Sequence, residues 1–296
     1  SPNRDRLVEQ AEAAGFPRTT CCWIKGLYSA AKQTDVRTMV GLVEGDCSNT
    51  MALLEILESE GVRVIPFAYP YKRDEALLRL QLSRFAAEFG VKEADAEAMK
   101  ARLDRVRRLA HEIDDLTWRD GKVTGEENHL WTISCSDMMG DIALYERKAS
   151  EFLSAAKARP PASHGIRLGF IGIPPICDGF YSFVEGLGAR IVFNELQRQF
   201  AMPYATRDLY DQYSRFTYPY DIFFRLADVQ AEIQRRRLDG VIHYVQSFCY
   251  RVMQDSLVRR TLKLPILTVE CDRPGPLDAR NKTRIEAFIE MLRVSR

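Results

Sequence analysis

The stretch TMVGLVEGDCSNTMALLEILESEGVRVIPF, residues 38–67, decides the fold class of this chain. Its first six residues form a mostly apolar run, which indicates a short buried strand. A turn with glycine and acidic residues follows, and from about Asn49 to Glu60 the apolar residues recur at helical spacing. Gly61 ends that helix, and residues 62–67 form a second strand-like run. Strand, helix and strand in this order indicate a βαβ unit and therefore a parallel sheet.

The same alternation returns in the C-terminal half of the chain. Strand-like runs are predicted at residues 167–173, 190–194, 240–246 and 265–270. Helices are predicted near residues 180–187, 221–237, 251–262 and 282–292. We therefore expect parallel sheets that bind ligands beyond the carboxyl ends of their strands.

The middle of the chain differs, because residues 74–158 contain no proline and no strand-like run. They predict several helices, broken near Gly90, around Gly121 and at Gly125. Residues 159–165, RPPASHG, predict a linker after them. The fold class is then α/β: two small parallel-sheet α/β domains with a helical segment between them. We expect the boundaries at residues 1–73, 74–159 and 160–296.

The composition limits the function. Of 296 residues, 42 are Lys or Arg and 41 are Asp or Glu, so the net charge is +1. Non-specific nucleic-acid binding needs a clear basic excess, so we expect no nucleic acid as a partner. No apolar run is long enough to span a membrane. The polar N-terminal decapeptide is unlike a secretory signal, and we expect a cytoplasmic protein.

Three of the seven cysteines fall where a parallel sheet presents functional groups. Cys47 and Cys249 each follow a predicted strand and precede a predicted helix, and Cys21 lies in a turn before a short helical stretch. A helix N-terminus lowers the pKa of a thiol and favours the thiolate that binds metal. We expect these three side chains to converge on the cleft between the two domains.

The other cysteines favour a different interpretation. A cysteine in a protein of this kind is most often a small buried apolar residue. We expect this of Cys135 and Cys271, whereas Cys177 stays ambiguous and Cys22 is the spare member of an adjacent pair. No Cys-x-x-Cys, Walker A or Gly-x-Gly-x-x-Gly motif occurs. A Cys–His hydrolase that pairs Cys249 or Cys47 with His243 is a minor alternative.

Three short segments carry a family resemblance. CCWIK (21–25), GDC (45–47) and GVIHYVQSFC (240–249) resemble, in this order, the three cysteine motifs of one iron–sulfur family. That family contains 2-hydroxyacyl-CoA dehydratases, ATP-dependent benzoyl-CoA reductases and double-cubane cluster proteins. Residues 270–292 are similar to its C-terminal helix, so the resemblance runs from about Pro17 to the end. Relatives have an N-terminal strand before that point, so the resemblance implies that part of the first sheet is missing or supplied differently.

The resemblance implies a cofactor and partners. Cys21, Cys47 and Cys249 match the thiolates that hold a [4Fe–4S] cluster, and three protein ligands leave one iron open. Such relatives receive single low-potential electrons from an ATP-hydrolysing iron–sulfur activator protein. They also pair with a homologous second subunit as a homo- or heterodimer, and they act on an acyl-CoA or another small-molecule substrate. Residues 173–220 contain only Cys177, which disfavours a double-cubane cluster.

Other polar residues near these motifs are candidates for the same site. Lys25 could offset the negative charge of a thiolate cluster, with a solvated lysine as the alternative. Gln246 and Ser247 precede Cys249 and could donate hydrogen bonds to cluster sulfides. Glu270 and Asp272 could act as acid–base groups on a thioester, with capping or packing as the alternative.

Residues 210–224 are unusually aromatic, which suits a ligand pocket, a subunit interface or core packing. The leading hypothesis is the iron–sulfur subunit of a reductively activated dehydratase or reductase. A non-catalytic electron-relay subunit, or a metal-free α/β ligand-binding protein with buried thiols, are the alternatives.

Overall fold

A computed structural model describes residues 4–162 and 165–295. The predicted linker at 159–165, which contains His164, lies partly outside the described residues. The strands are β1 (Thr38–Glu44), β2 (Arg63–Ala68), β3 (Ile166–Gly172), β4 (Cys177–Asp178), β5 (Ala189–Asn194), β6 (Gly240–Val245), β7 (Ile266–Glu270) and β8 (Gly275–Pro276).

The helices of the N-terminal half are α1 (Arg4–Ala13), α2 (Cys22–Gln33), α3 (Ser48–Ser59), α4 (Glu75–Glu88), α5 (Glu93–Trp118), α6 (Gly125–Ile133) and α7 (Ile142–Lys157). Those of the C-terminal half are α8 (Phe180–Gly186), α9 (Glu195–Phe200), α10 (Leu209–Arg215), α11 (Ile222–Arg236), α12 (Tyr250–Met253), α13 (Asp255–Thr261) and α14 (Ala279–Val294). None of the described helices is both long enough and apolar enough to cross a bilayer.

The strands form a small and a larger sheet, and every strand pair is parallel. The first sheet contains β1 and β2, and the second has the order β5-β3-β6-β7. A separate short pair joins β4 to β8. The predicted α/β class with parallel sheets is therefore confirmed.

The middle of the chain is helical, as its composition predicts: α4 to α7 fill the described residues between β2 and β3. Gly125 does not break a helix but begins α6, because Thr124 and Glu127 form a capping box there. The unpredicted break falls at residues 134–140, where Met138 and Met139 have left-handed backbone angles. The helical segment packs on the second sheet, where Asn194 Nδ2 donates to Asn128 Oδ1 at 2.8 Å.

Aromatic side chains join the two sheets. Tyr69, just after β2, packs against Tyr213, Phe216 and Tyr220, with ring centroids 5.6 to 6.4 Å apart. At Gly45 an added Cβ would lie 2.9 Å from the Pro219 carbonyl oxygen, so the turn after β1 fits against this segment only as glycine. Of the three interpretations of residues 210–224, core packing is the one that these contacts support.

Candidate functional site: three thiols at helix starts

Each of the three cysteines that are predicted to converge immediately precedes a helix. Cys21 is the N-cap residue of α2, Cys47 of α3 and Cys249 of α12. Cys47 and Cys249 also follow the carboxyl ends of β1 and β6, the edge where parallel sheets bind ligands. All three are free and partly buried.

The Cys47 turn is held by its neighbours. Asp46 Oδ1 accepts a hydrogen bond from the Cys47 backbone N–H at 2.8 Å, and Asp46 Oδ2 accepts one from Thr50 Oγ1 at 3.0 Å. The Thr50 hydroxyl lies 3.6 Å from the Cys47 sulfur. These bonds fix the direction of the thiol at the first turn of α3.

One hydrogen bond joins the cysteine loops of the two sheets directly. The Cys21 thiol donates to Gln246 Oε1 at 2.7 Å, across 225 positions of sequence. Gln246 lies between the end of β6 and Cys249, and it is 1% exposed. Its other amide atom, Nε2, is buried without a partner among the described residues. The predicted proximity of Gln246 to the cysteines is thus a direct contact with Cys21.

The three thiols are near enough to interact electrostatically. Burial raises the pKa of Cys21 to about 11, and potential negative charges at Cys249 and Cys47 raise it further. Burial also raises the pKa of Cys249, and a negative charge on Cys47 would raise it further. The expectation of thiol pKa values lowered by helix N-termini is wrong for these two residues, because desolvation outweighs the backbone N–H groups.

The thiols do not form a site for one metal ion. Within residues 4–162 and 165–295, no group of three or more His, Cys, Asp or Glu side chains has the geometry to hold an ion. A single ion draws its ligands to one point, whereas a cubane cluster separates them because each cysteine binds a different iron. The arrangement of the described residues therefore excludes a compact site for a single ion in this conformation.

Asp272 holds the segment before Cys249. Its Oδ1 accepts from the Ser247 backbone N–H at 2.6 Å, and its Oδ2 accepts from the Ser247 hydroxyl at 2.8 Å. The hydrogen of the Ser247 hydroxyl is thus used by Asp272 and does not point to a thiol. The next residue, Phe248, has a left-handed φ of 61° and is 75% exposed, so its ring lies on the surface beside Cys249.

Glu270 ends β7 and is half-buried. Its backbone carbonyl accepts from Asn281 Nδ2 at 2.8 Å, while its carboxylate has no hydrogen-bond partner among the described residues. The Glu270 carboxylate is therefore available for proton transfer, whereas both carboxylate oxygens of Asp272 already accept hydrogen bonds from Ser247. Neither residue caps the following helix, since α14 is capped by Asp278.

Lys25 is not a solvated lysine, and that alternative is wrong. Its side chain is 1% exposed, and Nζ donates to Glu12 Oε1 at 2.7 Å and to the Arg18 carbonyl at 2.9 Å. Lys25 lowers the pKa of Glu12 through this hydrogen bond. A role in offsetting cluster charge stays a prediction, with Glu12 as the present partner of the ammonium.

Arg251 is a site residue that the sequence patterns did not single out. It is 2% exposed, and its guanidinium lies 4.0 Å from the Tyr218 ring centroid and donates to the Tyr218 carbonyl at 2.8 Å. Its positive charge lowers the pKa of Cys249, although burial dominates. The sequence does contain a signal for this residue, because Arg251 stands two positions after the candidate thiolate of Cys249.

The remaining four cysteines are more deeply buried than the three thiols. Cys135 is 3% exposed in the helical segment and contacts the Tyr145 hydroxyl at 3.2 Å, and Cys271 is 7% exposed. Both predictions of burial are confirmed. Cys177 is equally buried, and the Cys22 thiol donates to the Asp272 carbonyl at 2.8 Å.

The minor Cys–His alternative is wrong. His243 is 0% exposed within β6, and its Nδ1 is paired with Asp255 Oδ1 at 2.7 Å. Neither ring nitrogen contacts a cysteine among the described residues. A histidine that activates a nucleophile must reach the sulfur by hydrogen bond, and this one does not.

These features define a class: a parallel α/β protein with three thiols at helix N-cap positions, two of them just after the carboxyl ends of strands. The family model described as 2-hydroxyglutaryl-CoA dehydratase, D-component, matches residues 2–292, nearly the whole chain. The chain therefore belongs to this family and is a component of a dehydratase-type enzyme. The resemblance carried by the cysteine motifs is confirmed at that level. None of the curated proteins compared with the chain matches it.

Proposed function

We propose that this protein is the iron–sulfur subunit of a reductively activated 2-hydroxyacyl-CoA dehydratase or benzoyl-CoA reductase-like enzyme. Cys21, Cys47 and Cys249 would be the three protein ligands of a [4Fe–4S] cluster. The observation that carries the proposal is the approach of three thiols from three separate helix starts, in a chain that belongs to a dehydratase-component family.

The donor set fits such a cluster. Three thiols and no histidine make a soft sulfur site, which is the ligand type that iron–sulfur clusters use. The buried Gln246 Nε2, which has no partner, lies next to this set and is a hydrogen-bond donor of the kind that tunes cluster sulfurs. When bound, a cluster with one iron not held by cysteine would supply single-electron chemistry and a position for a substrate oxygen.

Gln246 would respond to the ionisation of Cys21. The neutral thiol donates to the amide oxygen, but a thiolate has no hydrogen to give and would repel that oxygen. A half-turn of the amide would present Nε2 to the sulfur instead and give the unpaired donor a partner. Arg251 would stabilise the Cys249 thiolate by its charge.

The two acidic residues would have separate roles. Glu270, whose carboxylate is unpaired, would move a proton on a substrate bound at the strand ends. Asp272 would act through Ser247 as a positioning residue for Cys249, since both of its carboxylate oxygens are used there. Ser247 would then support the loop and not donate to a sulfide.

The partners follow from the family. We expect an ATP-hydrolysing iron–sulfur activator protein that delivers single low-potential electrons, a homologous second subunit, and an acyl-CoA or another small-molecule substrate. The thiols would lie in the cleft between domains at residues 1–73 and 160–296, joined by the helical segment 74–159. A cytoplasmic location completes the proposal.

Anaerobic purification with iron and sulfide analysis tests the cluster. We expect about four irons and four sulfides per chain, with a charge-transfer absorption that Cys21→Ala, Cys47→Ala or Cys249→Ala each removes. Cys135→Ala is the matched control, since its thiol is buried in another part of the protein, and it should keep the absorption. Colourless, iron-free protein after anaerobic reconstitution would refute the proposal, and loss of iron in Cys135→Ala alone would refute the ligand assignment.

A second candidate is a non-catalytic [4Fe–4S] electron-relay subunit of a larger reductase complex. It is favoured by the partial exposure of all three thiols, because electron transfer to a partner needs a site near the surface. Binding of an acyl-CoA to the purified, cluster-loaded chain distinguishes the two. Saturable binding that Glu270→Gln weakens supports the catalytic subunit, and no binding supports the relay.

A further inference from the structure

Three further cysteines share one part of the hydrophobic core. Cys22, Cys177 and Cys271 belong to one hydrophobic core cluster, and each is 7% exposed. Cys177 and Cys271 are 94 positions apart in sequence, yet each side chain shifts the pKa of the other. The proposed function uses neither of them.

The backbone on both sides of this thiol pair is fixed. Cys177 begins β4 and Cys271 follows the last residue of β7. The Tyr244 hydroxyl accepts from the Ile176 N–H at 3.0 Å and donates to the Cys271 carbonyl at 3.4 Å, so one side chain holds both segments. The pairing of β4 with β8 closes the same region from the other side. The backbones of the two cysteines are therefore held near each other by the fold.

We propose that Cys177 and Cys271 are a redox-active dithiol that closes reversibly to a disulfide, as a second redox site distinct from the three-thiol site. The oxidant would be a small-molecule disulfide, RSSR, such as oxidised glutathione. The Cys177 sulfur attacks one RSSR sulfur, which forms a mixed disulfide and releases the first RSH with the Cys177 proton. The Cys271 sulfur then attacks the Cys177 sulfur and releases the second RSH. Two thiols are oxidised and one RSSR is reduced to two RSH.

The two cysteines are unequal, as the order of attack requires. The neighbouring Cys271 side chain lowers the pKa of Cys177, whereas Cys177 raises the pKa of Cys271. Thiolate character decides which sulfur attacks first, so Cys177 is the attacking residue and Cys271 the resolving one.

Access to Cys177 requires only a local opening. Cys177 is followed by the exposed Asp178 and Gly179, and the β4–β8 pair holds just two residues of each strand. Short elements with few buried contacts open at a small fraction of the global unfolding free energy. A small disulfide can therefore reach the Cys177 sulfur without unfolding the second sheet.

Peptide mapping of the wild-type chain tests the pair. The protein, purified anaerobically as it exists, is equilibrated in glutathione buffers of rising oxidised fraction, acid-quenched, alkylated and digested with trypsin. Cys177 falls on peptide 168–190 and Cys271 on peptide 264–280, separate from the peptides of the other five cysteines. We expect these two to become cross-linked in more than half of the molecules and to separate again with dithiothreitol.

Variants assign the two steps. Cys271→Ser should abolish the cross-link and leave one glutathione on Cys177, whereas Cys22→Ser and Cys135→Ala should both keep the cross-link. The proposal is overturned if Cys177 and Cys271 both stay alkylated in the most oxidising buffer, or if either is linked to Cys22. Because the mapping of the wild type needs no variant, a poorly folding Cys271→Ser protein does not affect the decision. Iron content plays no part in this readout, so its result is independent of the cluster proposal.

Discussion

The two sheets whose strands lead to Cys47 and Cys249 are built differently. All six residues of β5 and all six of β6 are buried, so the second sheet is covered on both faces. In β1 only Gly41 is fully buried, and Val40 and Val43 are 46% and 38% exposed. The second sheet thus holds Cys249 on a complete core, whereas the first presents Cys47 from a half-covered pair of strands.

This difference shows how a site can be assembled from unequal parts. The first sheet gains its position from the aromatic contacts of Tyr69 and from the Cys21–Gln246 hydrogen bond, both of which reach the second half of the chain. The position of the first sheet therefore depends on the second sheet more than the position of the second sheet depends on the first. Four changes test this dependence, in order of decreasing expected effect.

The largest loss of stability is expected when the buried ion pair that supports the second sheet is broken. Glu195 and Arg225 form an ion pair whose side chains are 0% and 1% exposed, with Arg225 Nη2 at 2.6 Å from Glu195 Oε2. Arg225→Met would leave a buried carboxylate without its partner and lower the free energy of unfolding by about 3–5 kcal/mol, measured by urea denaturation. The double variant with Glu195→Gln should recover most of this loss. An exposed ion pair is worth at most about 1 kcal/mol. A loss below that value in the single variant would contradict the claim that this buried pair supports the second sheet.

Removing the aromatic contact should release the first sheet alone. Tyr69→Ala is expected to lower the free energy of unfolding by about 3 kcal/mol, because a buried aromatic ring is lost. Amide hydrogen exchange should accelerate in β1 and β2 but not in β3 and β6. Tyr71→Ala is the control, since Tyr71 is 62% exposed and should change stability little. Equal acceleration in both sheets would show that they unfold as one unit.

A pH change should weaken the helical segment that packs on the second sheet. Burial lowers the pKa of His129 to about 4 from its ordinary 6.5, and Nδ1 is 2.8 Å from Gln197 Nε2. The unfolded chain therefore takes up a proton first as the pH falls below 6.5. The stability from neutral His129 is complete above that pH and is lost by about pH 4, a change of roughly 2–3 kcal/mol.

His129→Gln, which does not titrate, isolates this contribution. The stability difference between wild type and variant, measured by denaturation at several pH values, should change between pH 6.5 and 4 and stay level above pH 7. A difference that is constant over the whole range would mean that His129 is protonated at the same pH in the folded and unfolded chains.

The smallest effect, the loss of a helix N-cap, should be the same for a helix beside either sheet. Asp74 caps α4 beside the first sheet and Asp221 caps α11 beside the second, each through Oδ1 to backbone N–H groups. Asp74→Ala and Asp221→Ala should each lower the free energy of unfolding by about 1 kcal/mol, since a cap acts locally. Thermal denaturation of both variants checks this, and a much larger loss at Asp221 would mean that α11 carries more than a local cap.

The strands and the helix-start cysteines could be predicted because they depend on local patterns. All six predicted strands occur within one or two residues of their expected bounds, and each of Cys21, Cys47 and Cys249 precedes a helix. The pattern rules use only neighbouring residues, and these features are decided by neighbouring residues.

The rest depends on contacts between distant segments. The thiol pKa values rise because of burial that only the folded chain creates, and Lys25 is buried because Glu12 and Arg18 come to meet it. The β4–β8 pair is two residues long, too short for a periodic signal. The predicted helix at 251–262 is divided at Gln254 into α12 and α13, a kink with no glycine or proline to mark it.

The place of β3 between β5 and β6 has a consequence for biosynthesis. Ile166 pairs with Ala189, but on the other edge Leu168 pairs with Gly240, 72 residues later. A ribosome needs roughly 4 to 14 s to add that length of chain. During that interval β3, whose residues are almost all buried in the finished sheet, has one unpaired apolar edge. The nascent chain, and not the folded protein, is therefore the state in which this sheet is most exposed to aggregation.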